Sequence, residues 1–380
     1  MLYLNRWKSL VSLLAVVGVA CGVPPGLATT WEEPEPGLFT TGPYILLGKA
    51  GQAFVAVKST DLKEPPRVEW WVGDGARTVV AAEEYDDLWI TTLEDLPVGD
   101  VISYRVRSIK GDTPPYQFRV GVEEGESFRF AAFGDTRTGH SVHRAVVEAL
   151  ARENIEFVLH TGDMVERGGK QSQWDLFFQI ERPLLVDRPI LPSIGNHDLG
   201  ARQYYRRYFM HRLWARNLRY YYHDWGNLRI VAMDGGIECR DGCTQYGYVD
   251  RVLEQGAEQG KLLVMMLHFP PYSSGDHGSH LGVQEPVTQL AKRHGVELVI
   301  TGHDHNYERT VEIEGTTYIV SGSAGAPIRA VRPQWFTAHA RTEPHYVLID
   351  VEGHRMTLRA VNLKGEVFDT HIIEPNPPQP

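Results

Sequence analysis

Five times after residue 127 of this chain an apolar stretch ends and a polar, metal-capable residue follows at once. Residues 130–133 lead into Gly134-Asp135, and residues 155–160 into Thr161-Gly162-Asp163. Residues 189–194 lead into Gly195-Asn196-His197-Asp198. Residues 261–267 lead into His268, and residues 296–301 into Gly302-His303-Asp304-His305. Each apolar stretch reads as a strand, and a helical stretch at 141–152, with Val142, Ala145, Val146 and Ala149 at helical spacing, separates the first two. Alternating strands and helices imply an α/β fold, where ligands gather at the carboxyl ends of strands because side chains there project into a shared crevice.

Taken together, Asp135, Asp163, Asn196, His268, His303 and His305 offer two carboxylates, one amide oxygen and three imidazoles. A mixed oxygen and nitrogen set suits Fe, Zn or Mn better than Mg or Ca. Six donors exceed what one catalytic zinc takes and match two ions sharing a carboxylate. Any one of these residues alone is ordinary, since a Gly-Asp after a strand is a common turn and a lone histidine is more often packed or hydrogen-bonded. It is the repetition in order, after five strands, that points to a metal centre.

The N-terminal part reads differently. Arg6 and Lys8 precede an apolar, uncharged run from Leu10 to Ala20, about half the length a bilayer-spanning helix needs, so residues 1–21 read as a signal peptide. Gly18-Val19-Ala20-Cys21 resembles a bacterial lipoprotein cleavage site, in which the cysteine is lipidated, although Gly18 stands where Leu is usual. The implied location is exported: periplasmic, extracellular or lipid-anchored at the cell envelope. Cys239 and Cys243 lie in a short polar loop and are either a small disulfide or a pair of free thiols. Residues 22–37, rich in Pro, Gly and Glu, read as a linker. Residues 38–122 carry short β-rich runs at 44–47, 53–58, 68–72, 88–92, 101–108 and 116–120 with turn residues between them, the pattern of a small antiparallel sandwich. The adjacent Trp70 and Trp71 point to opposite faces of their strand, one into the core and the other toward a neighbouring domain or a sugar. Residues 121–127 read as a hinge to the second domain at 127–375. The net charge of −10 argues against a nucleic-acid-coating protein.

Gly134-Asp135, Gly162-Asp163, Gly195-Asn196-His197-Asp198, His268 and Gly302-His303-Asp304-His305 resemble the signature of calcineurin-like metallophosphoesterases. His268-Phe-Pro-Pro-Tyr-Ser-Ser, Gly302-His-Asp-His-Asn-Tyr-Glu-Arg309 and the closing strands from Tyr346 to Asp369 are similar to the purple acid phosphatase branch. That resemblance implies a fibronectin type III-like β-sandwich followed by a four-layer α/β/β/α catalytic domain. It implies two divalent or mixed-valence ions, with Asp163 bridging them, Asp135 and His305 on the first, and Asn196, His268 and His303 on the second. It leaves His197 off the metals, facing the leaving group as an acid. The implied reaction is hydrolysis of phosphate esters, phosphomonoesters first. Phosphodiesters of nucleotides or lipids are the alternative on the same metals, and a non-catalytic binding protein is the third reading.

Two positions depart from that branch. The Tyr that binds ferric ion and gives colour is here Glu166, which implies a colourless protein whose Glu166 carboxylate is available to a divalent pair. Other branches carry a ligating His where Arg137 stands. Arg137 stays protonated, so it is either a fork for a phosphate oxygen or a structural ion pair. His140 and His143 are candidates for the missing ligand or face solvent from an amphipathic helix. Asp304 either orients an imidazole or caps its turn. The pocket wall is expected from residues 200–219, 235–246 and 273–280. Within it, Arg202, Arg206, Arg207 and Arg212 with Tyr204, Tyr205 and Tyr208 either meet an anionic substrate or form a helix with its Tyr face packed inward.

Overall fold

The computed structural model describes residues 38–59, 62–200, 204–209, 219–236 and 243–376. The signal segment, Cys21, the linker, Cys239, Arg202 and Arg212 lie outside the described residues. No helix among those described is long and apolar enough to cross a membrane.

The first nine strands are β1 (Thr41–Leu47), β2 (Ala53–Lys58), β3 (Arg67–Val72), β4 (Thr78–Ala81), β5 (Glu83–Tyr85), β6 (Leu88–Leu93), β7 (Ile102–Ser108), β8 (Gly111–Asp112) and β9 (Tyr116–Phe118). They form two antiparallel sheets, β1-β2-β6-β5 and β4-β3-β7-β8, with β9 also on β7. Residues of both sheets meet in one buried cluster that includes Val55, Val68, Ile102 and Phe118. Trp70 packs against this cluster, whereas the Trp71 ring is covered by the Arg77 guanidinium at 4.2 Å. One face of the Trp71 ring is therefore occupied by a neighbour within the sandwich itself.

The remaining elements are β10 (Phe128–Phe133), α1 (His140–Leu150), β11 (Val158–His160), α2 (Gln171–Leu185), β12 (Ile190–Pro192), α3 (Tyr204–Phe209), β13 (Tyr221–Trp225), β14 (Leu228–Ala232), α4 (Thr244–Glu258) and β15 (Leu262–Met266). They continue with α5 (Leu281–His294), β16 (Leu298–Thr301), β17 (Tyr307–Thr310), β18 (Thr317–Ser321), β19 (Thr337–Arg341), β20 (His345–Glu352), β21 (Arg355–Asn362) and β22 (Val367–Ile373). Two mixed sheets result, β12-β11-β10-β20-β21-β22 and β13-β14-β15-β16-β18-β17-β19. Side chains alternate across each strand and sort into layers. Phe130 and Ala132 face Ile230, Val264 and Ile300 of the other sheet, while Ala131 and Phe133 pack with Val146 of α1 and Phe177 of α2. Val231 and Met265 pack outward on Val249 of α4 and Val287 of α5. The order is helices, sheet, sheet, helices.

The sandwich is welded to this body. In β1, Ile45 and Leu47 point into the sandwich core while Tyr44 and Leu46 point into the cluster around α2. The Tyr44 hydroxyl donates to the Tyr208 carbonyl at 2.8 Å, the Tyr104 hydroxyl to the Val186 carbonyl at 2.6 Å, and Lys58 pairs with Asp175 of α2 at 2.9 Å. Val122, in the segment read as a hinge, is itself buried in the shared core.

Candidate metal centre

β10, β11 and β12 run parallel, as do β14, β15, β16 and β18, so the loops after β10, β11, β12, β15 and β16 all leave from carboxyl ends. The two sheets pack so that those ends meet. Asp135, Asp163 and His303 sit in the left-handed backbone region, with φ of 56°, 55° and 69°. That conformation is uncommon for residues other than glycine, and it turns each donor off its strand into the crevice. Glycines let the loops close: a Cβ at Gly195 would lie 2.2 Å from Asp163 Oδ1, and one at Gly302 2.5 Å from Asp135 Oδ2.

His268 is fully buried, and its Nδ1 donates to the Thr161 carbonyl at 2.8 Å, which leaves Nε2 as an unprotonated acceptor. Around that Nε2 lie Asn196 Oδ1 at 3.2 Å, His303 Nδ1 at 3.3 Å and Asp163 Oδ1 at 3.4 Å. Four atoms with lone pairs thus converge. Asn196 is placed with its oxygen inward, and burial holds both imidazoles below the ordinary histidine range, His303 to about 2. A cation is the species that resolves such a cluster.

The adjoining group is built the same way. His305 donates from Nδ1 to the Pro327 carbonyl at 2.7 Å, so its Nε2 faces Asp135 Oδ1 at 3.6 Å. Asp135 Oδ2 accepts from the His303 amide at 2.9 Å, but its Oδ1 is buried without a hydrogen-bond partner among the described residues. Burial first, then the Asp163 charge, pushes Asp135 well above the usual carboxylate range. Burial also pushes Asp163 up, but His268, the His197 amide and Arg137 outweigh it and leave Asp163 below that range. Ligand atoms of Asp135, Asp163 and His268 all lie within 4.8 Å of one another. An orphaned buried carboxylate oxygen beside neutral imidazoles whose other nitrogens are anchored to carbonyls fits a metal pair of oxygen and nitrogen preference.

His197 Nδ1 donates to the Glu166 carbonyl at 2.9 Å, and its Nε2 stands 4.0 Å from Asp163 Oδ2. Its backbone amide also holds Asp163 Oδ1 at 2.9 Å. The ring is thereby fixed at the edge of the centre.

Arg137 is committed to protein partners. Its Nε reaches Asp163 Oδ2 at 3.2 Å, its Nη1 reaches Glu166 Oε2 at 2.5 Å, and its Nη2 lies 3.3 Å from His305 Nε2. Glu166 thus stands beside the centre as the partner of Arg137. His140 is exposed, and His143 is buried against Glu181, 2.6 Å from its Oε1. His143 neither joins the centre nor faces solvent. The buried stripe of α1 is His143, Val146, Val147 and Leu150, one position on from the face read in the sequence. Asp304 accepts from the Ser273 hydroxyl and, at 3.0 Å, from the His277 amide, so it caps the loop and orients no imidazole. In α3 the Tyr face is buried, while Arg207 pairs with Asp86 and Asp87 of the sandwich.

Three groups of the site carried no role in the sequence reading. Asp198 Oδ2 accepts from the Asp163 and Gly195 amides, both at 2.9 Å, and Oδ1 from Met164 at 2.8 Å, tying two ligand loops together. Its signal was its place in Gly-Asn-His-Asp. His277 stacks on His303 with ring centroids 4.4 Å apart, and the Arg329 amide donates to the His305 carbonyl at 3.0 Å. Both come from irregular loops without periodicity.

Residues 128–307 match the sequence model of the calcineurin-like phosphoesterase family. "Probable inactive purple acid phosphatase 27" of Arabidopsis thaliana is 26% identical over 227 residues, 48% of this chain and 37% of that protein. A "Nucleotide pyrophosphatase/phosphodiesterase" of Hordeum vulgare is 26% identical over 227 residues, 48% of this chain and 62% of its own length. The match thus spans between about two fifths and three fifths of these relatives. The purple acid phosphatase PPD1 structure from yellow lupin (Lupinus luteus) superposes with a TM-score of 0.77 at 21% identity, covering 87% of this chain and 74% of that one, a likeness of fold.

Proposed function

We propose that the chain is a calcineurin-like phosphoesterase of the purple acid phosphatase branch and that it hydrolyses phosphate esters, phosphomonoesters above all. The observation that carries this reading is the convergence of Asp163, Asn196 and His303 on the unprotonated Nε2 of His268. Asp135 with its orphaned oxygen lies alongside.

In this reading Asp135 and His305 hold one ion, Asn196, His268 and His303 the other, and Asp163 is shared. The ions are divalent or mixed-valence Fe, Zn or Mn. When bound, they supply charge neutralisation at the phosphoryl group and lower the pKa of water toward about 7. His197, fixed through Nδ1 by the Glu166 carbonyl, holds Nε2 toward the crevice and delivers a proton to the leaving oxygen. Arg137 keeps Asp163 and Glu166 in place rather than gripping substrate. Asp198 fixes the loops that carry Asp163 and Asn196. With Glu166 at the Tyr position, the loaded protein shows no tyrosinate absorption band. The N-terminal strand order, β1-β2-β6 against β4-β3-β7-β9, supports a fibronectin type III-like sandwich. The leader and Cys21 support export and a lipid anchor.

The barley relative's printed description gives a diester reading on the same centre its weight. Elemental analysis of the purified full chain, paired with rates on nitrophenyl phosphate and bis(nitrophenyl) phosphate, tests both. Two ions per chain and faster monoester turnover are expected. Faster diester turnover would transfer the assignment to phosphodiesterase, and no hydrolysis with any divalent ion would end it.

A further inference from the structure

We infer that Arg329 is a substrate-binding residue that grips a non-bridging phosphoryl oxygen and biases the centre toward phosphomonoesters and inorganic phosphate. This inference rests on the phosphoesterase reading above.

Arg329 lies in the loop after β18. Its backbone amide donates to the His305 carbonyl at 3.0 Å, and two residues earlier the Pro327 carbonyl accepts from His305 Nδ1 at 2.7 Å. The loop is therefore clamped to a metal-binding residue on two sides. The Arg329 charge is felt at His277, His303 and His305, adding to the larger effect of burial on these three imidazoles. No carboxylate among the described residues forms an ion pair with it. The nearby acid is otherwise engaged, since Asp304 accepts from Ser273 and from the His277 amide.

The decisive atom is Nη1, which is buried and has no hydrogen-bond partner among the described residues. A guanidinium donates from every nitrogen and accepts at none, so a buried N–H of this kind calls for an acceptor. The contrast with Arg137 is direct, because its Nε and Nη1 go to Asp163 and Glu166 and its Nη2 faces His305. Two arginines flank His305: one is spent on the protein, and the other keeps a donor for a ligand.

The chemistry of that ligand follows from the surroundings. A cation among neutral imidazoles, next to a centre built for phosphoryl oxygens, selects an anionic oxygen. A monoester dianion, like inorganic phosphate, has one more anionic non-bridging oxygen than a diester. A fixed guanidinium therefore favours the monoester, where two metals alone would serve either.

The test uses the full-length, metal-loaded protein and the variants Arg329→Met, which keeps a flexible unbranched side chain, and Arg329→Lys, which restores a charge without the fork. Calorimetric titration of inorganic phosphate is the readout independent of turnover, and metal content is measured on each sample. Arg329→Met is expected to retain its ions and to weaken phosphate binding by about 10- to 100-fold, with a similar loss of kcat/KM on nitrophenyl phosphate. The loss on bis(nitrophenyl) phosphate is expected to be several-fold smaller, and Arg329→Lys to recover part of the monoester loss. Unchanged phosphate affinity, or equal losses on both esters, would overturn the assignment, as would loss of the metals. A wild-type protein that binds no phosphate and cleaves neither ester would instead sink the reading beneath it.

Discussion

The first central sheet, through the loops after β10, β11 and β12, brings Asp135, Asp163 and Asn196 to the pocket, all oxygen donors. The second, through the loops after β15 and β16, brings His268, His303 and His305, all nitrogen donors. Burial acts on the two sets in opposite ways. It drives Asp135 toward its neutral, protonated form, whereas it drives the imidazoles toward the neutral, unprotonated form that binds metal. Asp135 therefore needs a cation to stay ionised, whereas the imidazoles are ready before one arrives. Neither sheet holds a site alone, so the centre exists only where the two pack.

The most severe way to break this asymmetry is Asp163→Ala. On the proposed ligand assignment it removes the donor both ions would share, so metal content should fall close to zero and turnover by roughly 1000-fold or more. His303→Ala, on the other side, should leave about one ion per chain. Equal metal loss in both variants, read by elemental analysis, would refute the bridging role of Asp163.

A second test probes the seam between the sheets. His345 of β20 lies 3.1 Å from Ser321 at the end of β18, bridging the two, and burial lowers it to about 4; His223 of β13 is lowered likewise to about 4. Each takes up a proton more readily unfolded than folded. Stability is therefore greatest above about pH 6.5 and is lost as pH falls toward about 4, by roughly 3 kcal/mol for each group. Chemical denaturation of the wild type and of His345→Asn should show the shallower acid slope in the variant.

The smallest of these effects sharpens the oxygen side. His197 shares a loop with Asn196 but holds no ion in the proposed assignment, so His197→Ala should keep both ions. It should slow an alkyl phosphate by about 100-fold and nitrophenyl phosphate much less. Equal slowing of the two would remove His197 as the proton donor.

The six donors and the loops that carry them were legible because each follows a buried strand, and a strand's end is visible as the end of an apolar run. The sandwich strands were legible through alternation and turn residues, although the short β4, β5 and β8 were not, being exposed or only a few residues long. What failed had no periodic signal. His143 was misplaced because a helical face read from small residues was one position off. Arg137 was assigned two roles because its sequence neighbours do not include Asp163 or Glu166, the partners that decide between them. His277 and Arg329 sit in irregular loops whose course only tertiary packing determines. The sandwich's attachment was hidden because β1 is buried on both faces, and a continuous apolar strand does not say what covers its second side.

The left-handed backbone of Asp135, Asp163 and His303 narrows what these positions can become. Glycine would relax the chain there and delete the donor, while Glu, Gln or Cys would keep a donor and fit the turn poorly. Asn, Asp and His are the residue types that tolerate this conformation best, and they are also good ligands. Conformational tolerance and coordination chemistry thus admit nearly the same short alphabet at three separate places, which leaves drift at the centre few routes that are not at once a loss of shape and a loss of metal.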